Sequence, residues 1–374
     1  MTSRRDGQAS NSPKKRKHSK AKKVRKVRKE SWSVRRIFKE NDFSHVDDVN
    51  AERRQSNRGA NGFKASALFR ALLLMYLKQW TILELIKFLD QHKEWLYFLD
   101  LKRMKDDKMQ YVVPNRTTFY PFIRRLGEEA LMEIFIRTVI QLKENGIING
   151  DNISVDATII SAWFLKGKRK DRDAKKGYDS YRKIWVVGYK IHILLDVDTA
   201  LPIGVMITPA SSNESKTLIP FVQLINERYR FNVHHFLADA QYDSNKNRKE
   251  IINELKAVPV IDLNPRNCKG NTKKEKKARR KKLCEKFYKK EWIHEYWLDP
   301  NSEKFDKLYD MRTFSEQMFS VSRGSLKGND FRFKGKLMAL AHAVLMCMGT
   351  LVVANTAVAV GRPDLMRCVK CFTV

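Results

Sequence analysis

The chain has 374 residues, of which 43% are hydrophobic and 10% aromatic, which is enough for a sizeable core in one large domain or two. Lysine and arginine number 74 against 42 acidic residues, which gives a formal charge of +32. So basic a chain favours a polyanionic partner, and nucleic acid fits better than a membrane surface.

The first 30 residues carry much of this charge. They hold 13 Lys/Arg against two acidic residues and contain no aromatic residue. This composition, which includes the basic run from Pro13 to Glu30, predicts a disordered arm that gains affinity for nucleic acid by releasing phosphate counterions. The arm lacks an apolar segment and a cleavage site, so we do not expect a signal peptide. We assign residues 1–60 to the arm and a linker.

Residues 61–150 are predicted to be an all-helical DNA-binding domain. Apolar residues recur with a helical period from Ala65 to Trp80, and Thr81 and Glu84 form a capping box that opens a second helix. A third helix is expected after Pro114, capped by Asn115 or Thr117. Its basic residues favour docking to DNA, although any helical bundle has the same periodicity. The candidate DNA-binding residues here are Arg116, Arg124 and Arg125.

From Asn152 the apolar period changes from helical to alternating, which predicts strands. The first strand carries Asp156, and a hairpin follows from IWVVGYKIHILLD and LPIGVMITPA. Next come a helix capped by Ser212 or Asn213, the strand HHFLAD ending at Asp239, a helix from about Ser244 and the strand AVPVID. The order predicts an α/β fold with a mixed sheet flanked by helices.

A basic insertion is expected at about residues 263–305. Residues 267–290 hold 12 Lys/Arg against two acidic residues. We expect a helical or disordered segment that touches nucleic acid, and a plain solvated linker is an equal alternative.

The apolar stretch from Leu337 to Val360 is long enough to span a membrane, but it contains His342, Asn355 and two threonines. We therefore expect a helix that packs over the sheet, since polar groups in lipid are costly. A catalytic domain would then occupy residues 151–360 and a tail residues 361–374.

Five cysteines, an odd number, indicate a reducing compartment and argue against a disulfide framework. Cys368 and Cys371 have no second pair at zinc-site spacing, so ordinary thiols are expected there.

Three acidic residues are candidates for catalysis. Asp156 projects from the polar side of its strand and Asp239 ends another strand at its carboxyl edge. If the two strands are neighbours, the carboxylates converge, and Glu316 from a later helix completes the trio. Three carboxylates together need cations between them, and oxygen ligands suit two Mg²⁺ or Mn²⁺ ions in phosphoryl transfer.

The segment YDMRTFSEQMFSVSR, from Tyr309 to Arg323, is predicted to be one helix. At about 100° per residue, Tyr309, Arg312, Glu316 and Arg323 would share one arc. Arginine suits bidentate phosphate contact and tyrosine can stack on an unpaired base. An ion-pair ladder on a solvated face is the alternative.

These residues resemble the DDE transposases of bacterial and archaeal insertion sequences, in the branch with the motif Y-(2)-R-(3)-E-(6)-K. Here the motif reads Tyr309, Arg312, Glu316 and Arg323, with arginine in place of the final lysine. Further matching segments are VDAT around Asp156, GYKIHILLDVDTALP, TPASSNES, LADAQYDS and VPNRTTFYPFIRRLG.

The resemblance implies an RNase H-like core with Asp156, Asp239 and Glu316 as catalytic, metal-binding residues. It implies that Tyr309, Arg312 and Arg323 contact DNA near the cleaved end. The implied activity is metal-dependent cleavage and strand transfer at the terminal inverted repeats of a mobile element, into target DNA, by a homodimer. A nuclease that never joins DNA and a non-catalytic DNA-binding protein remain alternatives. We expect a cytoplasmic, nucleoid-associated protein, or a nuclear one in a eukaryotic host, and no membrane partner.

Overall fold

The computed structural model describes residues 33–52, 62–106, 108–163, 165–167, 170–179, 182–264, 272–328 and 331–373. The basic run that precedes residue 33 lies outside this part of the chain. The α-helices are α1 (Val34–Glu40), α2 (Ser44–Glu52), α3 (Ala65–Leu77), α4 (Ile82–Gln91), α5 (Glu94–Phe98), α6 (Arg116–Glu144), α7 (Leu218–Leu224), α8 (Asn245–Leu255), α9 (Lys273–Tyr288), α10 (Glu303–Asp310), α11 (Phe314–Ser325), α12 (Lys336–Ala359) and α13 (Val369–Thr373). The strands are β1 (Lys102–Lys105), β2 (Lys108–Tyr111), β3 (Asn152–Ser161), β4 (Lys175–Asp179), β5 (Ile184–Asp196), β6 (Leu201–Pro209), β7 (His235–Ala238) and β8 (Val258–Ile261).

The expected mixed sheet flanked by helices is present. Among the described residues it has six strands, in the order β4-β5-β3-β7-β8, with β6 also paired to β5. The long strand β5 runs antiparallel to β3, β4 and β6, whereas β7 is parallel to both β3 and β8. Strands β3, β5 and β6 therefore form an antiparallel meander, with β4 in the connection from β3 to β5, and β7 and β8 join it through helical crossovers.

The N-terminal region is helical apart from the small hairpin β1–β2, which the sequence pattern did not predict. The capping box at the start of α4 is present: Thr81 Oγ1 accepts from the Glu84 N–H, and Glu84 Oε2 accepts from the Thr81 N–H. Asn115 occupies the N-cap position of α6 without a side-chain capping bond, and α6 kinks at Gly127, where φ is +72°. Glycine tolerates that backbone conformation because it has no Cβ.

Helix α12 lies in the centre of the protein. It is the one helix in the described ranges that is long and apolar enough to cross a membrane. However, 94% of its most apolar 18-residue stretch is buried inside the protein. It packs against α6, α3, α1 and β6. Its polar residues have partners there: Tyr76 Oη hydrogen-bonds His342 Nδ1 at 2.7 Å, and Asn355 Nδ2 donates to the Glu40 carbonyl at 3.1 Å. The expected packing helix is thus observed.

One hydrophobic core extends from the N-terminal helices to the sheet. Residues 61–150 and 151–360 share this core, so their division into a DNA-binding and a catalytic domain stays a prediction. The predicted arm and linker is too long, because α1 and α2 fold within residues 1–60 and bury Ile37 and Val46 completely.

The C-terminal end differs from the prediction at its two cysteines. Cys368 and Cys371 form a disulfide, so the expectation of ordinary thiols is wrong. Their Cα atoms are 5.4 Å apart across one backbone turn, which is within the range that a disulfide bridges. Within the predicted tail, α13 buries Val369 and Phe372 against the core.

The basic insertion contains a helix, α9, which agrees with one of the predicted alternatives. Arg280 anchors it to the sheet through the Asp262 carboxylate at 2.8 Å, and Cys284 packs near Leu263 and Trp297. Residues 265–271, which include Cys268, lie outside the described ranges.

Candidate active site

The sheet register brings the two candidate aspartates together. Strands β3 and β7 are parallel neighbours, and the last pair in their register is Val155 with Ala238. Asp156 is the next residue on β3 and Asp239 is the residue that directly follows β7, so they occupy adjacent positions where β7 ends. Neighbouring strands lie about 4.8 Å apart, which places both carboxylates at one edge of the sheet. The convergence expected from the sequence required the strands to be neighbours, and they are.

The third acid reaches the same edge from a segment that is not one helix. Helix α10 ends at Asp310, a 3-10 turn covers Met311–Thr313, and α11 then carries Glu316 and Arg323. The prediction of a single α-helix over this segment is therefore wrong, although Arg312 still contacts both the Tyr309 ring and the Glu316 carboxylate. The 3-10 turn has about 3.0 residues per turn, so side chains after it are rotated from the positions that a continuous α-helix would give.

A serine joins α11 to the first strand. Ser315 is completely buried, and its Oγ lies 2.8 Å from Asp156 Oδ2 and 2.8 Å from the Arg312 carbonyl. A hydroxyl has one proton, so it donates to one of these two acceptors at a time. The bond to Asp156 holds the start of α11, and therefore Glu316, beside β3.

Arg312 stands between the acidic residues. Its guanidinium lies 3.6 Å from Asp156 Oδ2 and 3.9 Å from Glu316 Oε1. Its Nε is buried and has no hydrogen-bond partner within the described part of the chain. Burial opposes the charged form, but the carboxylates of Asp156, Asp239 and Glu316 raise the pKa of Arg312. A buried, charged donor beside a cluster of acids is suited to holding a phosphate oxygen.

The surroundings of Asp156 act on its ionisation in opposite directions. Burial raises the pKa of its carboxyl, while the hydrogen bonds from Ser315 and the Ala157 N–H and the charge of Arg312 act in the opposite direction. A carboxylate in such surroundings is more stable when a further cation binds it. Asp239 differs in that its Oδ1 caps the following turn, accepting from the Ala240 N–H at 2.5 Å.

The donor set fits a hard divalent cation. The three candidates offer only carboxylate oxygens, and two of them occupy adjacent strand positions, which suits Mg²⁺ or Mn²⁺. In the described ranges, however, no three acidic, histidine or cysteine side chains are grouped closely enough to hold a metal ion. The side chain of Glu316 is 66% exposed, whereas that of Asp156 is 18% exposed. The aspartates are thus brought together and Glu316 lies at their border.

Tyr309 is occupied by contacts within the protein. Its ring stacks on Phe305 with centroids 5.4 Å apart, and Arg312 Cζ lies 5.5 Å from its centroid. Burial raises the pKa of the Tyr309 hydroxyl. The ring thus packs against Arg312 and Phe305, and its stacking on a DNA base stays a prediction.

The other candidate DNA-binding residues lie on exposed surfaces. Arg323 is exposed two turns beyond Glu316 on α11, and Arg116, Arg124 and Arg125 are exposed on the first half of α6. Arg124 lies 5.3 Å from the Tyr120 ring centroid and Arg125 lies 5.8 Å from that of Phe122. Their positions permit contact with DNA, and their role stays a prediction.

Sequence reasoning missed Ser315. The residue directly precedes Glu316, but a serine at that position carries no motif and its burial depends on packing between α11 and β3. The alternating pattern of β3 was the available signal. It identified Asp156 as a polar residue on the strand, and a partly buried carboxylate needs a hydrogen-bond donor from a neighbouring element.

Comparison with known proteins places the chain in a family. The family model described as a transposase DDE domain matches residues 150–351, which is more than half of the 374 residues. The comparison with curated proteins gives no match. Among solved structures, the chain is similar to one in the cryo-EM structure of the piggyBac transposase synaptic complex with hairpin DNA, with 12% identity, a TM-score of 0.44 and coverage of 90% of this chain and 79% of that chain. From the family match, the chain belongs to the transposase DDE domain family.

Proposed function

We propose that the protein is a transposase that binds the ends of its mobile element and catalyses metal-dependent DNA strand cleavage and strand transfer. The observation that carries the proposal is the β3–β7 register, which puts Asp156 and Asp239 side by side at the edge that α11 closes with Glu316. The family match supports the reaction class. The antiparallel meander followed by parallel strands supports assignment of the sheet to the RNase H-like class.

Asp156, Asp239 and Glu316 would hold one or two Mg²⁺ or Mn²⁺ ions. When bound, such ions activate an attacking oxygen and stabilise a leaving one in phosphoryl transfer. The protein's own groups position the DNA: Arg312 offers the exposed part of its guanidinium to a phosphate oxygen, and Ser315 fixes the Asp156 carboxylate. Arg323, farther along α11, would contact the backbone of the same strand.

The protein binds DNA in this proposal through charge as well as through the site. The basic composition, the exposed arginines of α6 and the basic helix α9 support binding to duplex ends and target DNA. The Tyr309–Arg323 motif supports membership of the Y-(2)-R-(3)-E-(6)-K branch and an origin in a prokaryotic insertion sequence. We propose a homodimer that pairs two element ends in the cytoplasm, associated with the nucleoid.

The test is an assay of cleavage and joining with labelled DNA that carries the element's own flanking ends, in Mg²⁺, in Mn²⁺ and in EDTA. The proposal predicts nicks at the element boundary and joined products that need metal. Nicks without joining would indicate a nuclease. Tight DNA binding without metal-dependent nicks would indicate a protein that binds DNA and does no chemistry.

A further inference from the structure

An exposed aromatic ridge lies on the hairpin formed by β4 and the start of β5. We define the ridge as Lys176, Tyr178 and Trp185. The rings of Tyr178 and Trp185 are directly opposite each other in the register, with centroids 5.4 Å apart. They are 49% and 64% exposed. Lys176 Nζ lies 4.9 Å from the Trp185 ring centroid.

The ridge shares a sheet face with the candidate active site. Asp156 is opposite Ile193 in the β3–β5 register, and side chains alternate between the two faces along a strand. Trp185 is eight residues from Ile193, so it is on the same face as Asp156, and its partner Tyr178 is on that face too. At about 3.3 Å per residue, Trp185 lies about 26 Å from the level of Asp156 along β5.

The ridge projects beyond the edge where chemistry is proposed. Strand β7 ends opposite Val155, whereas β3 continues to Ser161 and β5 begins farther out at Ile184. The antiparallel strands therefore extend past the level of the two aspartates. Arg182 stabilises the tip, since its Nε donates to Asp179 Oδ2 at 2.6 Å and its backbone N–H donates to Asp179 Oδ1 at 3.0 Å.

The charge around the ridge selects the kind of partner. Between residues 165 and 185, the residues that the structure describes include seven Lys/Arg against three acidic residues. Phosphate neutralises this charge, and aromatic rings stack on any base whose face is uncovered, whatever its identity. A paired and stacked base offers no face, so the ring chemistry favours an unpaired stretch of DNA over an intact duplex.

We propose that the ridge binds unpaired bases of the DNA that the active site processes, about six to ten nucleotides from the cleaved phosphate, given a rise of about 3.4 Å per nucleotide. This inference rests on the proposed function, because it takes the cleaved end as its reference point. Trp185 stacks on the base, Tyr178 supports the indole from its edge and Lys176 contacts the adjacent phosphate.

The experiment measures the Kd of the full chain for an element-end duplex and for the same duplex with a three-base mismatch, moved stepwise from the end. The wild-type protein should prefer mismatched DNA when the mismatch lies about six to ten nucleotides from the end. Trp185→Ala should weaken binding to that substrate about 5- to 100-fold, while Trp185→Phe retains most of the preference. The matched control is Ile184→Ala, the adjacent exposed residue on the opposite face, which has no ring.

Metal-dependent nicking is measured on the same substrates, so that two failures can be told apart. If the wild-type protein nicks the end and Trp185→Ala keeps the full mismatch preference, the ridge inference is overturned and the proposed function stands. If nothing is nicked while the Trp185-dependent preference is present at that spacing, the ridge is supported and the proposed chemistry fails. If Trp185→Ala changes only the protein's self-association in sedimentation, the ridge is a contact between copies of this chain and the inference is wrong.

Discussion

At the scale of single residues, Asp156 is held by two different neighbours. Ser315 donates a hydrogen bond from a completely buried position, and Arg312 contributes charge from 3.6 Å. Burial raises the pKa of the Asp156 carboxyl, whereas the Ser315 hydrogen bond and the Arg312 charge each favour its ionised form. Ser315 is thus a positioning residue, acting through Asp156 and the start of α11.

Replacing Ser315 should impair chemistry more than DNA binding. Ser315→Ala removes a hydrogen bond to a charged group, which is worth about 1.5–3 kcal/mol, so we expect nicking about ten- to a hundredfold slower. Ser315→Thr keeps the hydroxyl and should restore part of the rate. The control is Ser320→Ala, an exposed serine on the same helix. Equal nicking rates for Ser315→Ala and the wild type would remove Ser315 from the site.

His192 gives the fold a pH dependence. The side chain is completely buried, with Nε2 2.8 Å from Thr208 Oγ1, and burial together with the Lys190 charge lowers its pKa from 6.5 to about 3. Between these values the unfolded chain binds a proton that the folded chain does not. Stability is therefore complete above about pH 6.5 and falls as the pH drops, by about 1.4 kcal/mol per unit for this group.

The His192→Gln variant isolates that effect. We expect its free energy of unfolding in urea to fall by about 2 kcal/mol less than that of the wild type between pH 7 and pH 5. The comparison uses the change within each protein, because the substitution also alters packing at every pH. Parallel curves for the two proteins across this range would show that His192 does not carry the effect.

At the scale of elements, the hydrophobic periodicity and the helix-capping residues predicted much of the fold. The alternation in β3 and β5 and the capping box of α4 are local signals, and the predicted bounds of β5 match the observed Ile184–Asp196. The break between α10 and α11 was not predictable in the same way. Met311, Arg312 and Thr313 are ordinary helix residues, and the 3-10 turn reflects packing of Phe305 and Ser315 against different strands.

The C-terminal segment is held by tertiary contacts that its sequence does not indicate. Arg367 donates to the carbonyls of Asp198 and Thr199 and lies 5.3 Å from the Phe314 ring. The segment thus connects the β5–β6 turn with the first residue of α11. No local pattern in residues 361–374 indicates those partners.

Helix α13 should accordingly contribute to stability. Phe372 is completely buried in the main core, so Phe372→Ala should lower the free energy of unfolding by about 3–5 kcal/mol, because apolar burial is removed and a cavity is left behind. The exposed neighbour provides the control, since Lys370→Ala should change stability by less than about 0.5 kcal/mol. Similar urea midpoints for the two variants would mean that α13 does not form part of the cooperative core.

At the scale of the whole molecule, the hydrophobic core and the most basic segments lie in different parts of the chain. The apolar helix α12 holds the N-terminal helices and the sheet around one core, while the basic residues concentrate in the first 30 residues, in α9 and near the β4–β5 hairpin. Composition predicted a polyanionic partner without reference to the fold. It could not predict the meeting of Asp156 and Asp239, which depends on the pairing of two strands about 80 residues apart in sequence.

The basic arm should add non-specific affinity for DNA. Deleting residues 1–30 removes 13 positively charged residues, so the plot of log Kd against log salt concentration should become shallower, by about 0.9 for each phosphate that the arm no longer neutralises. Binding is measured by titration at several salt concentrations with the full chain and the truncated chain. An unchanged slope would show that the arm does not touch phosphate.

The central claim is that Asp156, Asp239 and Glu316 form one metal-binding centre for DNA cleavage. The most direct measurement is nicking of a labelled element end by Asp239→Cys and Glu316→Cys, in Mg²⁺ and in Mn²⁺, beside the exposed control Glu303→Cys on α10. Because a thiolate is a poor ligand for Mg²⁺ and a better one for softer metals, we predict that both site variants lose nicking in Mg²⁺ and regain part of it in Mn²⁺. Nicking at the wild-type rate in Mg²⁺ by either site variant would contradict the claim.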